Sequence, residues 1–186
     1  MVPRVLVICL YFLPAPVTAD TLNQATVDFV DGIYQMGFDV EVNASQADVY
    51  RMLTDYEHLP LLNDMVKESH IVTRTGSGES IRETRLKFCV LFFCNTIRIV
   101  ERLLENGVNS IKASVIPERS DLQHGETMMF IHAENGNRAR IEYGSTIQPK
   151  FWVPPLIGPW IIRKKMKSEL GVMMQRIESL VNENTQ

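Results

Sequence analysis

Two cysteines separated by four apolar residues have the spacing of a disulfide across a β-hairpin. In Cys89-Val-Leu-Phe-Phe-Cys94 the apolar residues can form the hairpin loop, which places the cysteines opposite one another on antiparallel strands. Opposed residues have Cα atoms about 4.5–5.5 Å apart, within the range of about 4.4–6.8 Å that a disulfide requires. We therefore predict a Cys89–Cys94 disulfide. The alternative is a pair of reduced, buried thiols on one continuous strand.

Motifs for nucleophilic catalysis and metal binding are missing from the sequence. It contains no Gly-x-Ser-x-Gly elbow, and the glycines at 76 and 78 lack the third glycine of a dinucleotide-binding loop. The four histidines do not have the spacing of metal ligands. Charged strand residues such as Arg82 and Glu101 could orient a polar group or move a proton. We predict no catalytic residue, no metal site and no cofactor.

The segment 151–162 combines two tryptophans and three prolines and ends at a basic turn, in which Arg163, Lys164, Lys165 and Lys167 follow closely. The prolines exclude a transmembrane helix, whereas tryptophan beside lysine and arginine is typical of an interfacial membrane anchor. The alternative is a buried corner before a helix, with a solvated basic turn. Peripheral membrane contact is one of these two interpretations.

Length and composition indicate one ordinary globular domain. The chain has 186 residues, of which 45% are hydrophobic and 22% charged, and this excludes a disordered, collagen-like or multi-span membrane protein. Its 19 basic and 22 acidic residues give a net charge of −3. Such a chain lacks the basic surface that nucleic-acid binding needs. We expect no nucleic-acid partner and a monomer.

The first nineteen residues have the layout of a cleavable secretory signal peptide. Arg4 precedes the apolar run 5–13, which is followed by the breaker Pro14 and by small residues at Val17 and Ala19. The alternative is a membrane anchor, but nine apolar residues are too few for a span, which needs about 20. We expect an exported protein, periplasmic in a Gram-negative bacterium and secreted otherwise.

The rest of the chain reads as a leader and one domain. We interpret residues 20–33, which have weak helical spacing, as an N-terminal leader, and residues 34–183 as the domain. Phe38, Val40 and Val42 alternate with polar residues and predict a strand. Two short helices are predicted next, because Ser45 begins a capping-box-like segment and Leu59-Pro60 interrupts the helical pattern that follows it.

Six further strands and one long helix complete the pattern. The strands are separated by glycine- and asparagine-rich turns such as Asn106-Gly107, and they are predicted at residues 69–75, 80–88, 96–104, 108–116, 127–133 and 138–148. The helix begins at Gly158-Pro159. Its apolar residues recur at helical spacing and predict about six turns that cover one large apolar surface. These residues are Met166, Leu170, Met173, Ile177, Leu180 and Val181.

The sequence ADVYRMLTDYEHLP at residues 47–60, followed by VKESHIV at 66–72, resembles the opening of the START-like polyketide cyclase/dehydrase and lipid-transport (SRPBCC) superfamily and, within it, the coenzyme Q-binding branch. The resemblance spans about residues 34–181. It implies an α+β helix-grip fold, in which a curved antiparallel sheet of about seven strands wraps around the long C-terminal helix. It does not identify the ligand, because the superfamily contains carriers, cyclases, hydrolases and ribosome-associated proteins.

A helix-grip fold leaves a cavity between sheet and helix that suits an apolar ligand. We predict that it is lined by Phe88, Ile97, Ile99, Val115, Met129, Ile131, Ile141, Tyr143, Met166, Leu170, Met173 and Met174. The alternative is that these residues fill an ordinary core. We expect an extracytoplasmic carrier of a hydrophobic small molecule, lipid-like or isoprenoid- or quinone-like. The alternative function is a cyclase, dehydratase or hydrolase that uses acid–base groups of the cavity.

Signal cleavage between Ala19 and Asp20 is the first testable expectation, because the small residues at positions 17 and 19 precede that bond. N-terminal sequencing of the exported protein should begin at Asp20. A membrane-bound product that retains Met1 would show instead that the apolar run 5–13 is an anchor.

Overall fold

A computed structural model describes residues 25–75, 78–90, 93–153 and 158–183. The predicted signal peptide and its cleavage site lie outside the described residues, as does part of the segment 151–162. The strands are β1 (Thr26–Val30), β2 (Ile33–Val42), β3 (Val66–Thr75), β4 (Glu79–Val90), β5 (Phe93–Asn106), β6 (Ser110–Val115), β7 (Leu122–Glu134) and β8 (Arg138–Pro149). The helices are α1 (Gln46–Thr54), α2 (Leu59–Leu62) and α3 (Gly158–Glu183).

All eight of these strands belong to one curved antiparallel sheet, in the order β1-β2-β8-β7-β6-β5-β4-β3. The predicted helix-grip architecture is confirmed, with α1 and α2 between β2 and β3 and the long α3 at the end of the chain. The six strands predicted after the helices correspond to β3 through β8. None of the described helices is long and apolar enough to cross a membrane.

The leader differs from its expected helical tendency. Residues 26–30 form the edge strand β1, which pairs with β2 through a tight turn at Asp31 and Gly32, both at positive φ (51° and 82°). Val27 is almost fully buried in this strand. Pairing with β2 and burial of Val27 therefore outweigh the weak helical propensity of these residues. Neither effect can be read from the local sequence pattern.

A half-buried carboxylate anchors α1 and the turn before α2 to the sheet. Ser45 caps α1 as predicted, since its Oγ accepts a hydrogen bond from the Asp48 backbone N–H (3.1 Å). The Tyr50 and Tyr56 hydroxyls then donate to the two oxygens of Glu105 on β5, at 2.7 and 2.8 Å. Burial and the adjacent Glu105 carboxylate raise the pKa of Tyr50 to about 12 and that of Tyr56 further. Both phenols therefore stay protonated donors at neutral pH.

The C-terminal half of α3 packs into the concave face of the sheet. Leu170, Met174, Ile177 and Val181 recur every three or four residues and are all buried in one apolar core. The facing sheet residues include Val40, Ile131 and Ile141 on three adjacent strands, together with Val49 and Leu53 from α1. This core holds α3 against the concave face of the sheet.

The β4–β5 hairpin carries the predicted disulfide. Cys89 and Cys94 are directly opposed partners in the ladder and are bonded, with their Cα atoms 4.0 Å apart. The ladder continues to the pair Val90–Phe93, so the four apolar residues between the cysteines are not all loop. The alternative of two reduced thiols on one strand is wrong.

Val115 is not among the residues that line the cavity, contrary to prediction; its side chain packs against Gly125 instead. A Cβ atom on Gly125 would lie 2.4 Å from Val115 Cγ2 and 3.2 Å from Val115 Cβ. Real Cβ contacts are never this short, and the branched valine has little freedom to move aside. Gly125 therefore provides the space that the Val115 side chain occupies.

Replacing both cysteines with serine is expected to lower the free energy of unfolding by about 2 kcal/mol, because the bond closes a six-residue loop in the unfolded chain. Chemical denaturation would measure this loss. The wild-type protein treated with reductant is the control and should reach the same stability while gaining two hydrogens in mass. Two thiols that alkylate without reductant, in protein from an oxidising compartment, would contradict the bond.

Gly125→Ala is expected to lower the free energy of unfolding by about 1–3 kcal/mol, since the added methyl overlaps Val115. Val115→Ala in the same chain should recover part of the loss in a double-mutant cycle. Gly144→Ala is the matched control, because a Cβ there meets nothing within 4 Å. Equal effects of the two glycine substitutions would show that the close contact with Val115 is not real.

Candidate ligand-binding cavity

A cavity of about 330 Å³ lies between the concave face of the sheet and the N-terminal half of α3. This volume is at the lower end of the range of about 300–1,000 Å³ typical of small-molecule sites. Most of the lining is apolar. The cavity can therefore hold a small apolar molecule or one end of a longer one.

The sheet wall follows from strand alternation. Tyr34, Met36 and Phe38 are every second residue of β2, so their side chains share one face and all line the cavity. On the neighbouring β8, Tyr143 stacks on Phe38 with the ring centroids 4.6 Å apart. The remaining sheet residues of the wall are Leu86, Phe88, Ile97, Ile99, Leu122, Met129, Ile147 and Pro149.

The helix wall follows from helical spacing. Ile162, Met166, Leu170 and Met173 lie on one stripe of α3 and line the cavity. Two loops close the sides, one contributing Asn63 and Met65 and the other Phe151 and Val153. Leu170 belongs both to this wall and to the core, so it marks where the cavity ends and close packing begins.

Eight of the twelve residues predicted to line the cavity do so: Phe88, Ile97, Ile99, Met129, Tyr143, Met166, Leu170 and Met173. Their contact with a ligand stays a prediction. Ile131, Ile141 and Met174 are instead part of the solid core, and Val115 packs on Gly125. Alternation and helical spacing identify the inward face, but they do not show how far along each element the cavity extends. The predicted set therefore extends from the cavity wall into the core.

Sequence reasoning missed several wall residues. Tyr34 and Met36 continue the alternation of Phe38 toward the N-terminus, so extending the strand pattern backwards would have found them. Asn63 and Met65 lie in the α2–β3 connection, which carries no periodic signal. Loops of this kind are placed by tertiary contacts alone.

One ion pair lies on the otherwise apolar wall. Lys165 Nζ and Glu169 Oε1 are 2.6 Å apart on successive turns of α3, and the Glu169 side chain is buried. The other oxygen, Oε2, accepts a hydrogen bond from the Asp64 backbone N–H (3.1 Å). Asp64 in turn pairs with Arg176 at 2.9 Å. Both carboxylate oxygens of Glu169 are therefore engaged, and they hold the α2–β3 connection against α3.

Two tyrosines contribute neutral hydroxyl groups. The Tyr34 hydroxyl is buried and has no hydrogen-bond partner in the described part of the chain. It lies under the start of α3, since a Cβ on Gly158 would be 2.9 Å from Tyr34 Oη. Burial raises the pKa of Tyr34 and of Tyr143. Both phenols are therefore neutral at physiological pH, and neither adds charge to the cavity.

The arrangement suits binding of a neutral, apolar molecule. The described residues contain no group of three or more side chains able to hold a metal ion. The cavity's carboxylate is already paired with Lys165 and a backbone N–H. The cavity binds a ligand mainly through its apolar surface. Burial of apolar ligand surface there stabilises the complex by about 25 cal/mol per Å² removed from water.

Comparison with known proteins agrees with this geometry. Residues 42–166 match the family model described as polyketide cyclase / dehydrase and lipid transport. No curated protein matches the chain. The matched residues run from the end of β2 into the cavity-lining half of α3.

Solved structures share the fold at low sequence identity. The Zhui aromatase/cyclase from Streptomyces has a TM-score of 0.65 at 9% identity, covering 83% of this chain and 96% of its own. A START superfamily protein from Mycobacterium smegmatis has a TM-score of 0.60 at 18% identity, covering 80% and 97%. A STAR-related lipid transfer protein from Xanthomonas axonopodis has a TM-score of 0.59 at 10% identity, covering 86% and 99%.

At such identities these structures establish the START-like fold and leave the ligand open. The family itself is shown by the family model, because the match covers more than half of the chain. The protein therefore belongs to the polyketide cyclase / dehydrase and lipid transport family.

Proposed function

We propose that the protein is a non-enzymatic carrier that holds a hydrophobic small molecule in the cavity between the sheet and α3. The observation that carries this proposal is a cavity of about 330 Å³ with an almost entirely apolar wall. Each methylene group moved from water into such a site contributes about 0.8 kcal/mol. A lipid-like or isoprenoid- or quinone-like molecule fits this chemistry, in keeping with the resemblance to the coenzyme Q-binding branch.

The charges of the cavity favour a carrier over an enzyme. General acid–base catalysis needs a group that is free to take or give a proton at the substrate. Glu169 accepts from Lys165 and from the Asp64 backbone, so both of its oxygens have partners. Tyr34 and Tyr143 stay protonated, because burial raises the pKa of each. The structural similarity to an aromatase/cyclase concerns the fold and does not by itself favour an enzyme. Among the described residues of the wall, no carboxylate is unpaired and available as a general base.

We further propose that the carrier works in an extracytoplasmic compartment. The sequence begins with the pattern of a cleavable signal peptide. The Cys89–Cys94 disulfide is consistent with this location, because disulfides persist mainly in oxidising compartments. We propose a monomer in peripheral contact with a membrane, without a nucleic-acid partner.

Two neighbouring methionines give a matched test of the cavity. Met173 lines the cavity and Met174 is in the solid core. Met173→Trp should fill vacant space, so we expect binding of a fluorescent fatty-acid or quinone analogue to fall at least about tenfold, about 1.4 kcal/mol, with little change in melting temperature. Met174→Trp should instead overpack the core and lower the free energy of unfolding by about 1–3 kcal/mol.

Analogue titration and thermal melting separate the two effects. The wild-type protein must bind at least one analogue for the proposal to stand. If it binds none, and if both tryptophan variants destabilise the fold equally, the interior is a packed core and the carrier proposal fails. Turnover of an analogue, with products detected by mass spectrometry, would favour the enzyme alternative.

A further inference from the structure

Both tryptophans of the sequence are exposed beside the cavity wall. The Trp152 and Trp160 side chains are 78% and 64% exposed. Trp152 lies between Phe151 and Val153, which both line the cavity, and Trp160 precedes the lining residue Ile162 by two positions. The interpretation of segment 151–162 as a buried corner is therefore wrong for its tryptophans. Val153 packs against Gly158, so Trp152 and Trp160 both stand at the start of α3, and large exposed aromatic groups at one place favour an interaction surface.

The first half of α3 has two distinct faces. Ile162, Met166 and Glu169 point to the cavity, whereas Trp160, Lys164 and Lys167 fall on another stripe at i, i+4 and i+7. The Lys164 ammonium lies 5.4 Å from the centre of the Trp160 ring. The outer stripe thus presents an aromatic ring flanked by cations, a combination typical of the interface of a membrane.

This surface has a charge opposite to that of the whole chain. Residues 158–173 contain four basic residues and one acidic residue, whereas the chain has a net charge of −3. The acidic residue, Glu169, is buried and paired with Lys165. Lys164 is exposed at the surface. An anionic surface would therefore attract this end of the protein and repel much of the remainder, which orients the approach.

Local packing holds the surface in place. Gly158 fits closely against Val153 and the Tyr34 hydroxyl, where a Cβ would lie 2.7 Å from Val153 Cγ1. Arg163 Nη2 donates a hydrogen bond to the Val27 carbonyl oxygen of β1 (2.6 Å). The start of α3 is thereby fastened to the edge of the sheet, and an exposed tryptophan on it needs no large rearrangement to engage a partner.

The lining of the cavity extends to the same end of the sheet. The antiparallel register places the end of β8 at Pro149 beside the starts of β2 and β7, and the end of β4 and the start of β5 lie at this end too. Phe151 and Val153 follow β8 directly and line the cavity. A flat partner that contacts Trp152 would thus lie next to two residues of the cavity wall.

We propose that Trp152, Trp160, Lys164 and Lys167 form a docking surface for an anionic phospholipid bilayer. The tryptophans insert at the level of the headgroups and the lysines contact anionic lipids, so the ligand can pass between bilayer and cavity with little exposure to water. The docking surface specifies the residues and the lipid of the peripheral membrane contact proposed above, and ligand binding in the cavity can stand or fail without it.

Intrinsic fluorescence tests the proposal directly, because Trp152 and Trp160 are the two tryptophans of the chain. Their emission should shift to shorter wavelength on addition of vesicles made of equal parts phosphatidylcholine and phosphatidylglycerol. Vesicles of phosphatidylcholine alone should give a smaller shift. High salt should reduce binding to the anionic vesicles, since it screens the lysines. Trp152→Phe and Trp160→Phe, each with one remaining reporter, show whether both rings insert.

Co-sedimentation with the same vesicles measures the contribution of each group. Lys164→Gln and Lys167→Gln should each weaken partitioning about fivefold, and Trp152→Ala combined with Trp160→Ala should abolish it. Phe130→Ala is the aromatic control, because Phe130 is exposed on the outer face of β7. Arg102→Gln combined with Lys112→Gln is the charge control on the outer face of the sheet. Neither control should change partitioning.

Several outcomes would overturn the docking surface. These are unchanged emission with anionic vesicles, equal loss of partitioning in the control variants, or an emission shift that depends on protein concentration without lipid, which would indicate self-association. Binding of the fluorescent analogue without vesicles is measured in parallel. If the protein binds the analogue but not the vesicles, the carrier proposal stands and the docking surface is rejected. If it binds the vesicles but not the analogue, the docking surface stands and the carrier proposal is rejected.

Discussion

The packing of the C-terminal half of α3 into the curved sheet is the interaction on which the rest of the structure depends. Leu170, Met174, Ile177 and Val181 bury one stripe of the helix against the sheet and α1. Because α3 is one continuous helix, this contact also determines where its first turns stand. The apolar stripe continues through Met166 and Ile162, but there it faces the cavity rather than a packed core. The cavity is the part of the space between sheet and α3 that protein side chains do not fill.

Polar contacts hold the remaining walls where the apolar core does not reach. Glu105 accepts hydrogen bonds from Tyr50 and Tyr56 and so ties α1 and the turn before α2 to β5. Glu169 and Arg176 of α3 hold the α2–β3 connection through Asp64. Among these groups Glu169 is buried, so breaking its contacts is costly because a buried carboxylate would be left unsatisfied. These contacts therefore keep the loop that carries Asn63 and Met65 at the cavity.

The chemistry of the cavity and that of its surroundings are complementary. The wall offers apolar surface and phenols that burial keeps neutral. The outer surface at the same end presents two tryptophans and several cations. An apolar ligand is more stable in the cavity or in a bilayer than in water, because transfer of apolar surface out of water is favourable. It therefore needs both an apolar site and a route that keeps it out of water. The disulfide restrains the β4–β5 hairpin, which contributes Phe88 and Ile97 to the wall.

The sequence by itself determined the elements and the inward face of most of them. Alternation and helical spacing are local properties, so β3 through β8, the start of α3 and the Cys89–Cys94 pairing could be read from residue types. The family resemblance added the order in which these elements pack.

Tertiary structure alone decided where packing stops: Met173 lines the cavity while Met174 is core, although the two are adjacent and chemically identical. It also decided that residues 26–30 are a strand, that Gly125 makes room for Val115, and that Trp152 and Trp160 face outwards. Each of these depends on which distant segment lies alongside, and that is set by the shape of the whole sheet rather than by any local pattern.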